Sequence, residues 1–500
     1  MNNTVTDWVT KSRNLTLRVR NFIDGRFRPV SGVESLEKHG PRDGQLLCRF
    51  ASGSRDDADD AVASSRRAFE DGRWSGKSVQ RRKEILNNLA VLIEAHREEL
   101  ALLDCLDVGK PIADALNFDV PGAAAIIRYS ADTVDKVHGR VYASDGHNLS
   151  YEIRRPIGVV AGIVGWNFPL HLAAQKIGPA LATGNCLILK PSELTSFSAA
   201  RLAELAVEAG LPEGVLNVIH GDSGVGAALA HHCGVNLVSF TGSTRTGKRL
   251  LVASGESNMK RLILECGGKA PNIVFSDVTD LDAIGDAIVS SAFWNMGQVC
   301  VSSTRLLVHE GIKQELQNII VRKTSAVNVG DPLDPQTHFG ALVSAGHKKR
   351  VLSYIETGMA EGATLIHQSS SAPPFENGFY VPATIFGDVA PERTIAREEI
   401  FGPVLSVISF RDENEAIAIA NKTIYGLSAI VWTRDLGRAH RVSQNVDAGL
   451  IVVNGTAKPA PGPNESILSV GGHKQSGIGV EGGIDGLEAY TSRTTVQFFV

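Results

Sequence analysis

Two side chains in this chain could act together in covalent catalysis: Cys300 and Glu265. A free cysteine has a pKa of roughly 8.5, so little thiolate exists at neutral pH unless dipoles or cations lower that pKa. Backbone N–H groups around the Gly297-Gln298 turn could lower it. Glu265 ends an upstream apolar run and could serve as a general base. Taken singly, Cys300 is an ordinary buried residue and Glu265 an ordinary strand-end carboxylate, but together they favour a catalytic site.

Seven motifs containing or flanking these residues follow one another along the chain. They are Trp166-Asn167-Phe168-Pro169, Lys190-Pro191-Ser192-Glu193, Phe240-Thr241-Gly242-Ser243, Glu265-Cys266-Gly267-Gly268-Lys269, Gly297-Gln298-Val299-Cys300, Glu398-Glu399-Ile400-Phe401-Gly402-Pro403 and Gly471-Gly472-His473-Lys474-Gln475-Ser476-Gly477. In this order, over residues 21 to 496, they resemble the signature motifs of the aldehyde dehydrogenase superfamily. The chain is most similar to its bacterial γ-glutamylaminobutyraldehyde and ω-aminoaldehyde dehydrogenase branch, with which it shares the strings at 241–248 and 257–261.

The resemblance implies a thiol-based oxidation of an aldehyde to a carboxylic acid. Cys300 would attack the aldehyde carbon, because a hemithioacetal can lose hydride to give a hydrolysable thioester. The side-chain amide of Asn167 and the backbone N–H of Cys300 would stabilise the oxyanion, and Glu265 would activate water to cleave the thioester. The resemblance adds Lys176 and Glu481 to the catalytic set. Taken alone, Asn167 could also be a helix N-cap.

NAD is the cofactor that the resemblance implies. Lys190 and Glu193 would hydrogen-bond the adenosine ribose, and the Glu193 carboxylate would repel a 2′-phosphate, which favours NAD over NADP. The pyrophosphate would lie against a helix N-terminus at Gly242-Ser243. Glu399 and Phe401 would hold the nicotinamide ribose and ring. The remaining cofactor-binding residues in this prediction are Ile163, Trp166, Ser192, Gly221 and Phe240.

The predicted substrate tunnel is mostly apolar. By resemblance its residues are His171, Leu172, Gln175, Trp294, Val299 and Val301. They form no acidic cage for an ammonium group, so uncharged aliphatic or aromatic aldehydes are expected to be the better substrates, with ω-aminoaldehydes as the alternative. A segment at 455–470 is longer than usual in the family and is expected to cover the tunnel entrance.

Short apolar runs that alternate with helical stretches must position these residues. Runs at 159–164, 186–189, 215–219, 237–240 and 262–264 predict a parallel sheet covered on both faces, which is a doubly wound α/β domain. Ligands of such sheets bind beyond the carboxyl ends of the strands. A second α/β unit is predicted after residue 267, with a helix at 281–294 that leads to Cys300 and strands at 304–308, 404–410, 427–432 and 449–453. The first ordered element is expected to be a β-hairpin at 21–27.

The resemblance implies the aldehyde dehydrogenase fold with three parts. A Rossmann-like NAD-binding domain would comprise residues 1–137 and 156–266, and an α/β catalytic domain residues 267–485. A small β oligomerisation domain would comprise residues 138–155 and 486–500. A homodimer or homotetramer is therefore expected.

Composition narrows the function classes. The chain has 500 residues, 43% of them hydrophobic and 21% charged, and a net charge of −4. Because acidic and basic residues are interspersed, neither nucleic acid nor a membrane surface is an expected partner. Its six cysteines show no metal-ligand spacing, so no metal is predicted. Without a leader or an apolar run near ~20 residues, a cytoplasmic location is expected.

Two other functions are compatible with parts of this pattern. A CoA-acylating semialdehyde dehydrogenase would use the same thiol, but Glu265 as a water-activating base favours hydrolysis. A non-catalytic relative with a binding or structural role would be expected to lose the thiol or the base. Cys300, Glu265 and Asn167 are all present.

Overall fold

The computed structural model describes residues 7–29, 35–144, 147–370, 373–456 and 467–499. Its N-terminal part is a short helix, two hairpins and a group of helices. The elements are α1 (Trp8–Arg13), β1 (Phe22–Ile23), β2 (Arg26–Phe27), β3 (Ser35–His39), β4 (Leu46–Ala51), α2 (Arg55–Glu70), α3 (Val79–Ala95), α4 (Arg97–Val108), α5 (Ile112–Asp114), a π-helical turn (Ala115–Asp119), α6 (Val120–Thr133) and a 3₁₀ turn (Val134–Lys136).

Local signals account for several of these elements. The predicted hairpin is β1–β2, whose turn residues Asp24 and Gly25 have φ values of 58° and 75°. Helix α2 begins with a capping box between Ser54 and Asp57. The prediction that the first ordered element is β is wrong, because Asp7 accepts a hydrogen bond from the Thr10 N–H and caps α1.

The predicted doubly wound sheet is confirmed. After β5 (Asn148–Pro156) come β6 (Val159–Ile163), α7 (Pro169–Ala182), β7 (Cys186–Lys190), α8 (Phe197–Glu208), β8 (Leu216–Val218), α9 (Ser223–His231), β9 (Leu237–Thr241), α10 (Thr244–Glu256) and β10 (Arg261–Glu265). Strands β8, β7, β6, β9 and β10 lie side by side and parallel. Every residue of β6 and β7 is buried, as expected for strands covered on both faces.

The second α/β unit contains more strands than the sequence predicts. Its elements are β11 (Pro271–Val274), α11 (Leu281–Phe293), a 3₁₀ turn (Trp294–Gly297), β12 (Arg305–His309), a 3₁₀ turn (Glu310–Ile312), α12 (Lys313–Ser325), α13 (Ala345–Ala360), β13 (Thr364–Gln368), β14 (Thr384–Gly387), α14 (Thr394–Arg397), β15 (Val404–Phe410), α15 (Glu413–Asn421), β16 (Tyr425–Gly426), β17 (Ser428–Trp432), α16 (Leu436–Asn445) and β18 (Leu450–Val453). Its sheet has the order β13-β14-β15-β12-β11-β17-β18. All neighbours are parallel except β13 and β14.

The C-terminal segment joins the other parts of the molecule. It contains β19 (His473–Lys474), β20 (Gly477–Ile478), α17 (Gly483–Ala489) and β21 (Thr491–Phe499). Strand β20 lies antiparallel to β10 at the edge of the first sheet, and β21 pairs with β5 over nine residues to form a separate two-stranded ribbon. The ribbon overlaps the two segments, 138–155 and 486–500, that are expected to form the oligomerisation domain. Among the described residues, no helix has both the length and the apolar character needed to cross a membrane.

Candidate active site

One cavity of about 1390 Å³ lies at the carboxyl ends of β6, β7, β9 and β10. This is the edge at which a doubly wound sheet binds ligands. The opposite wall comes from the second α/β unit, through the segment that carries Cys300, the loop that carries Glu399 and Phe401, and strand β18. All the predicted site residues line the cavity except Lys176 and Gly221.

A strained turn between α11 and Cys300 sets the position of the thiol. Asn295, Met296 and Gly297 have positive φ values of 48°, 56° and 71°. A Cβ at Gly297 would lie 2.4 Å from the carbonyl oxygen of Gly402, so both the backbone conformation and the available space require glycine there. The chain therefore turns sharply before it places Cys300 at the cavity wall.

The thiol environment differs from the one predicted. Burial, followed by the charges of Glu399 and Glu265, raises the pKa of Cys300 to about 12. The backbone N–H groups of Cys300 and Val301 do lower this pKa, but their effect is smaller than that of burial and the two carboxylates. The backbone N–H groups therefore act in the expected direction, but the pKa of Cys300 is raised and not lowered.

The side chain of Asn167 lies beside the Cys300 segment. Its amide nitrogen donates a hydrogen bond to the Gln298 carbonyl at 2.9 Å. Phe168, and not Asn167, is the N-cap residue of α7, so the alternative role as a capping side chain is not observed. Because an amide nitrogen has two hydrogens, the second is available to an oxygen bound in the cavity.

Glu265 is at the end of β10 and is nearly buried. Burial and the charge of Glu481 raise its pKa well above the ordinary value, while the charge of Lys176 opposes this shift. Lys176 is fully buried and forms an ion pair with Glu481, so it lies behind the cavity wall. Ser239 donates a hydrogen bond to Glu481 at 3.1 Å, and Tyr490 donates one to Ser239 at 2.8 Å. The carboxylate of Glu481 connects this buried network to the cavity.

The predicted cofactor residues form a continuous wall beside Cys300. Lys190 contacts Glu193 at 3.4 Å, and burial lowers the pKa of Lys190. Ser243 is the N-cap of α10, whose first turn faces the cavity. A Cβ at Gly242 would lie 2.5 Å from the Phe240 ring, so glycine keeps this approach to the helix N-terminus open. These features suit a dinucleotide, because a helix N-terminus favours a phosphate and the Lys190–Glu193 pair can bond a ribose.

Two further predicted residues lie where the nicotinamide is expected. Glu399 accepts a hydrogen bond from the Gly268 N–H at 3.0 Å, and burial raises the pKa of Glu399. The Phe401 ring packs edge-on against Trp166 with 5.1 Å between the ring centroids. By contrast, Gly221 lies outside the cavity lining, where a Cβ would lie 2.6 Å from Val225. Its observed role is to allow a tight turn before α9.

The predicted substrate residues lie together at the other end of the cavity. Four aromatic rings form a cluster there: the centroid of Phe118 lies 4.6 Å from that of Trp294 and 5.4 Å from that of His171, and the centroid of Phe168 lies 5.1 Å from that of Trp294. The predicted residues Leu172, Gln175, Val299 and Val301 complete this part of the lining. The expected cover at 455–470 falls largely outside the described residues, because positions 457–466 are not among them.

Comparison with known proteins gives the family. The model of the aldehyde dehydrogenase family matches residues 27–496. The chain belongs to this family. It is similar to the NADP/NAD-dependent aldehyde dehydrogenase PuuC of Escherichia coli (45% identity; 98% of this chain, 97% of the relative) and to an aminoacetaldehyde dehydrogenase of Pseudomonas aeruginosa (42%; 95% and 94%). A crystal structure of indole-3-acetaldehyde dehydrogenase with NAD⁺ superposes with a TM-score of 0.96 (44% identity; 99% of both chains). The predicted aldehyde dehydrogenase fold and aminoaldehyde branch are confirmed.

The sequence did not reveal several residues of this dehydrogenase site. Asn295 donates hydrogen bonds from its side chain to the carbonyls of Asn167 and Gln298, at 3.0 and 3.3 Å, and so joins the Asn167 and Cys300 segments. The position of Asn295 directly before Met-Gly could have indicated a turn at this residue, since asparagine tolerates positive φ. His347 packs on Trp166 and bonds the Phe401 carbonyl at 2.7 Å. Phe118, far away in sequence, carried no such signal.

Proposed function

We propose that this enzyme oxidises an aldehyde to the free carboxylic acid at Cys300, with NAD as the acceptor. One observation carries the proposal: a thiol, an amide donor and a partly buried carboxylate line the same cavity as the Lys190–Glu193 pair and the N-terminus of α10. The PuuC relative uses NADP or NAD, and a solved relative contains NAD⁺. Membership of the family makes the chain an enzyme that acts on aldehydes.

The proposed reaction has two halves, in which Cys300, Asn167 and Glu265 have different roles. In the first, the Cys300 thiol loses its proton to solvent as its sulfur bonds to the carbonyl carbon, and the oxygen that becomes negative is stabilised by the Asn167 amide and the Cys300 N–H. When bound, NAD accepts the hydride that leaves this carbon, and a thioester on Cys300 remains. In the second half, Glu265 takes a proton from a water molecule, which attacks the thioester carbon and releases the acid and the thiol. Because this base is present, a CoA-acylating reaction is not favoured.

The residues proposed to hold NAD follow the cavity wall. Lys190 and Glu193 would hold the adenosine ribose, and Gly242 and Ser243 would lie against the pyrophosphate. Glu399 and Phe401 would hold the nicotinamide half. The wall is completed by Ile163, Trp166, Ser192 and Phe240.

Two substrate classes have separate support. The aminoacetaldehyde dehydrogenase relative supports an ω-aminoaldehyde. The described part of the substrate end supports an uncharged apolar or aromatic aldehyde, because its aromatic rings and aliphatic side chains include no carboxylate to pair with an ammonium. Equal-length neutral and amino aldehydes, compared by kcat/KM, would separate the two.

A cytoplasmic homo-oligomer is also part of the proposal. All six cysteines are free thiols, as expected in a reducing compartment. The ribbon formed by β5 and β21 has exposed apolar side chains that a second copy could cover, among them Leu149 and Phe498.

The central test is the change Cys300→Ser, assayed by NADH production over a panel of aliphatic, aromatic and amino aldehydes. We expect turnover to fall by at least 10³-fold, because the hydroxyl is a far weaker nucleophile, while the Kd for NAD stays within about threefold. Cys233→Ser, at an exposed cysteine outside the cavity lining, is the matched control and should keep wild-type turnover. Turnover above one per cent in Cys300→Ser would overturn the assignment.

A further inference from the structure

A buried ion pair lies behind the aromatic end of the cavity. The Lys110 ammonium donates hydrogen bonds to both carboxylate oxygens of Asp119, at 3.0 and 2.8 Å, and each side chain is only 1% exposed. Neither residue lines the cavity. The proposed oxidation uses neither charge, yet a buried pair is costly to desolvate and needs good geometry to be retained.

The Lys110 ammonium also contacts one of the cavity walls directly. Its nitrogen lies 3.9 Å from the centroid of the Phe168 ring. A desolvated ammonium over an aromatic face is attracted by the ring quadrupole, which restricts the orientation of the ring. Phe168 in turn packs on Trp294 at 5.1 Å and on Phe118 at 5.8 Å between centroids. The Lys110 ammonium therefore restrains the Phe168 ring. The rings of Trp294 and Phe118, which pack on Phe168, line the substrate end of the cavity.

Asp119, the other member of the ion pair, positions a second wall residue, Phe118, through the backbone. Asp119 is the last residue of the π-helical turn Ala115–Asp119, and Phe118 precedes it directly. A π-turn adds one residue to a helical turn and rotates the side chains that follow, and such turns are frequent at functional sites. Because Asp119 is held by Lys110, the turn keeps a defined orientation and directs Phe118 between Trp294 and His171.

A third buried group holds the start of α7 from the same side. The Asp104 carboxylate accepts a hydrogen bond from the Leu170 N–H at 3.3 Å, in the first turn of the helix that follows Phe168. The backbone of Phe168 is therefore restrained next to its ring.

We infer that the Lys110–Asp119 ion pair is a positioning device that holds Phe118 and Phe168 as two fixed walls, and thereby gives the site its selectivity for aldehydes with a planar apolar group over small ones. The inference rests on the proposed function. Lys110 and Asp119 act through the two rings and touch neither substrate nor cofactor. A small aldehyde does not reach both rings, so its reaction depends much less on them.

The experiment uses the full-length enzyme and three variants: Lys110→Met, Asp119→Asn and the double variant. Each single variant unbalances the buried charges, which include Asp104 near the pair, and is expected to be less stable, whereas the double variant removes one charge of each sign and should fold. The readout is the ratio of kcat/KM for phenylacetaldehyde to that for acetaldehyde. We expect the ratio to fall about tenfold in the double variant, with the KM for NAD within twofold of wild type.

A matched control separates positioning from a general loss of charge. Lys83 and Asp135 form a surface ion pair at 2.7 Å, away from the cavity lining. The double variant Lys83→Met/Asp135→Asn should keep the wild-type ratio. If Lys110→Met/Asp119→Asn lowers the kcat/KM of both aldehydes equally, or changes neither, the pair has only a structural role and the inference is overturned.

Binding gives a second readout that does not require turnover. The Kd of phenylacetate, a product-like carboxylate, is measured by calorimetry for wild type and the double variant, with acetate as the small comparison. We expect phenylacetate binding to weaken about tenfold, and an unchanged Kd would overturn the inference. If none of the tested aldehydes supports NAD reduction by the wild-type enzyme, the proposed function is rejected. The inference about the ion pair is still tested in that case, because the binding comparison does not require turnover.

Discussion

Cys300 lies near two partly buried carboxylates, Glu399 and Glu265, and its protonated thiol is a poor nucleophile. Burial, Glu399 and Glu265 raise its pKa to about 12, so the thiolate fraction near neutral pH is very small. A thiol in this state is protected from adventitious oxidation, because oxidants and alkylating agents react with the thiolate.

This leads to a prediction on alkylation. Without NAD, modification of Cys300 by iodoacetamide should accelerate about tenfold for each pH unit between pH 7 and 9, since the thiolate fraction rises tenfold per unit below the pKa. Glu399→Gln should move the whole curve to lower pH, because it removes a charge that disfavours the thiolate. Mass spectrometry of the Cys300 peptide measures the rate, and the exposed Cys233 serves as the internal reference. A pH-independent rate would contradict this account of the thiol.

Glu265 should set the acidic limb of the pH profile. Its pKa is raised, so the general base is present only above that pKa, and hydrolysis of the thioester should slow as the pH falls through it. Glu481→Gln removes a neighbouring negative charge and should move the limb to lower pH. Lys176→Met removes a neighbouring positive charge and should move it to higher pH. Steady-state kcat against pH measures both shifts, and movement in the same direction would contradict the assigned charges.

At the scale of elements, the turn that ends at Gly297 is the most constrained part of the site. Replacing Gly297 with alanine would put a Cβ within 2.4 Å of the Gly402 carbonyl at a φ of 71°. Such strain costs on the order of 1–3 kcal/mol, so we expect a lower Tm and at least a tenfold lower kcat as Cys300 moves. Gly255→Ala is the control, because outside the backbone of α10 no atom of the described residues lies within 4 Å of its added Cβ, and it should stabilise the protein by about 0.5–1 kcal/mol. If Gly297→Ala and Gly255→Ala changed Tm and kcat equally, the turn at Gly297 would have no special role in positioning Cys300.

The elements that the sequence predicted best are those specified by neighbouring residues. Strands β6 and β7 are continuous apolar runs, and the predicted runs at 159–164 and 186–189 lie within one residue of their observed bounds. Strands β13 and β14 were missed because pairing with distant strands, and not a local pattern, selects them. The same holds for Phe118, which lines the cavity, and for Lys110, which packs on Phe168 behind it, because tertiary contacts and not local patterns bring them there.

The assembly of the site belongs to the scale of the whole molecule. Residues at the carboxyl ends of the first sheet meet the Cys300 turn and the Glu399 loop of the second unit, and the C-terminal segment contributes both Glu481 and the edge strand β20. Six of the seven motifs contribute residues to this one cavity, whereas the motif at 471–477 does not line it and instead supplies β19 and β20. The domain limits at 137, 155, 266 and 485 remain predictions. Strand β20 lies within the predicted catalytic domain, yet it pairs with the first sheet.

The ribbon of β5 and β21 should determine the oligomeric state. A two-stranded ribbon alone is only marginally stable in water, and this one has Leu149 directly opposite Phe498, with side chains 44% and 52% exposed. The rings of Tyr151 and Phe498 stack at 6.0 Å and extend the apolar surface. A face of this kind is expected to pack against a second copy of the chain.

We therefore expect Leu149→Lys/Phe498→Lys to reduce the particle mass from tetramer to dimer or from dimer to monomer, because burying two ammonium groups in an apolar contact is unfavourable. Light scattering after size-exclusion chromatography measures the mass. Thr495→Lys changes the ribbon on its opposite face, since side chains alternate along a strand, and should leave the mass unchanged. The KM for NAD should stay near the wild-type value in both proteins, because the ribbon residues lie outside the cavity lining. A wild-type enzyme with the mass of one chain, or a double variant with the wild-type mass, would show that the ribbon does not mediate assembly.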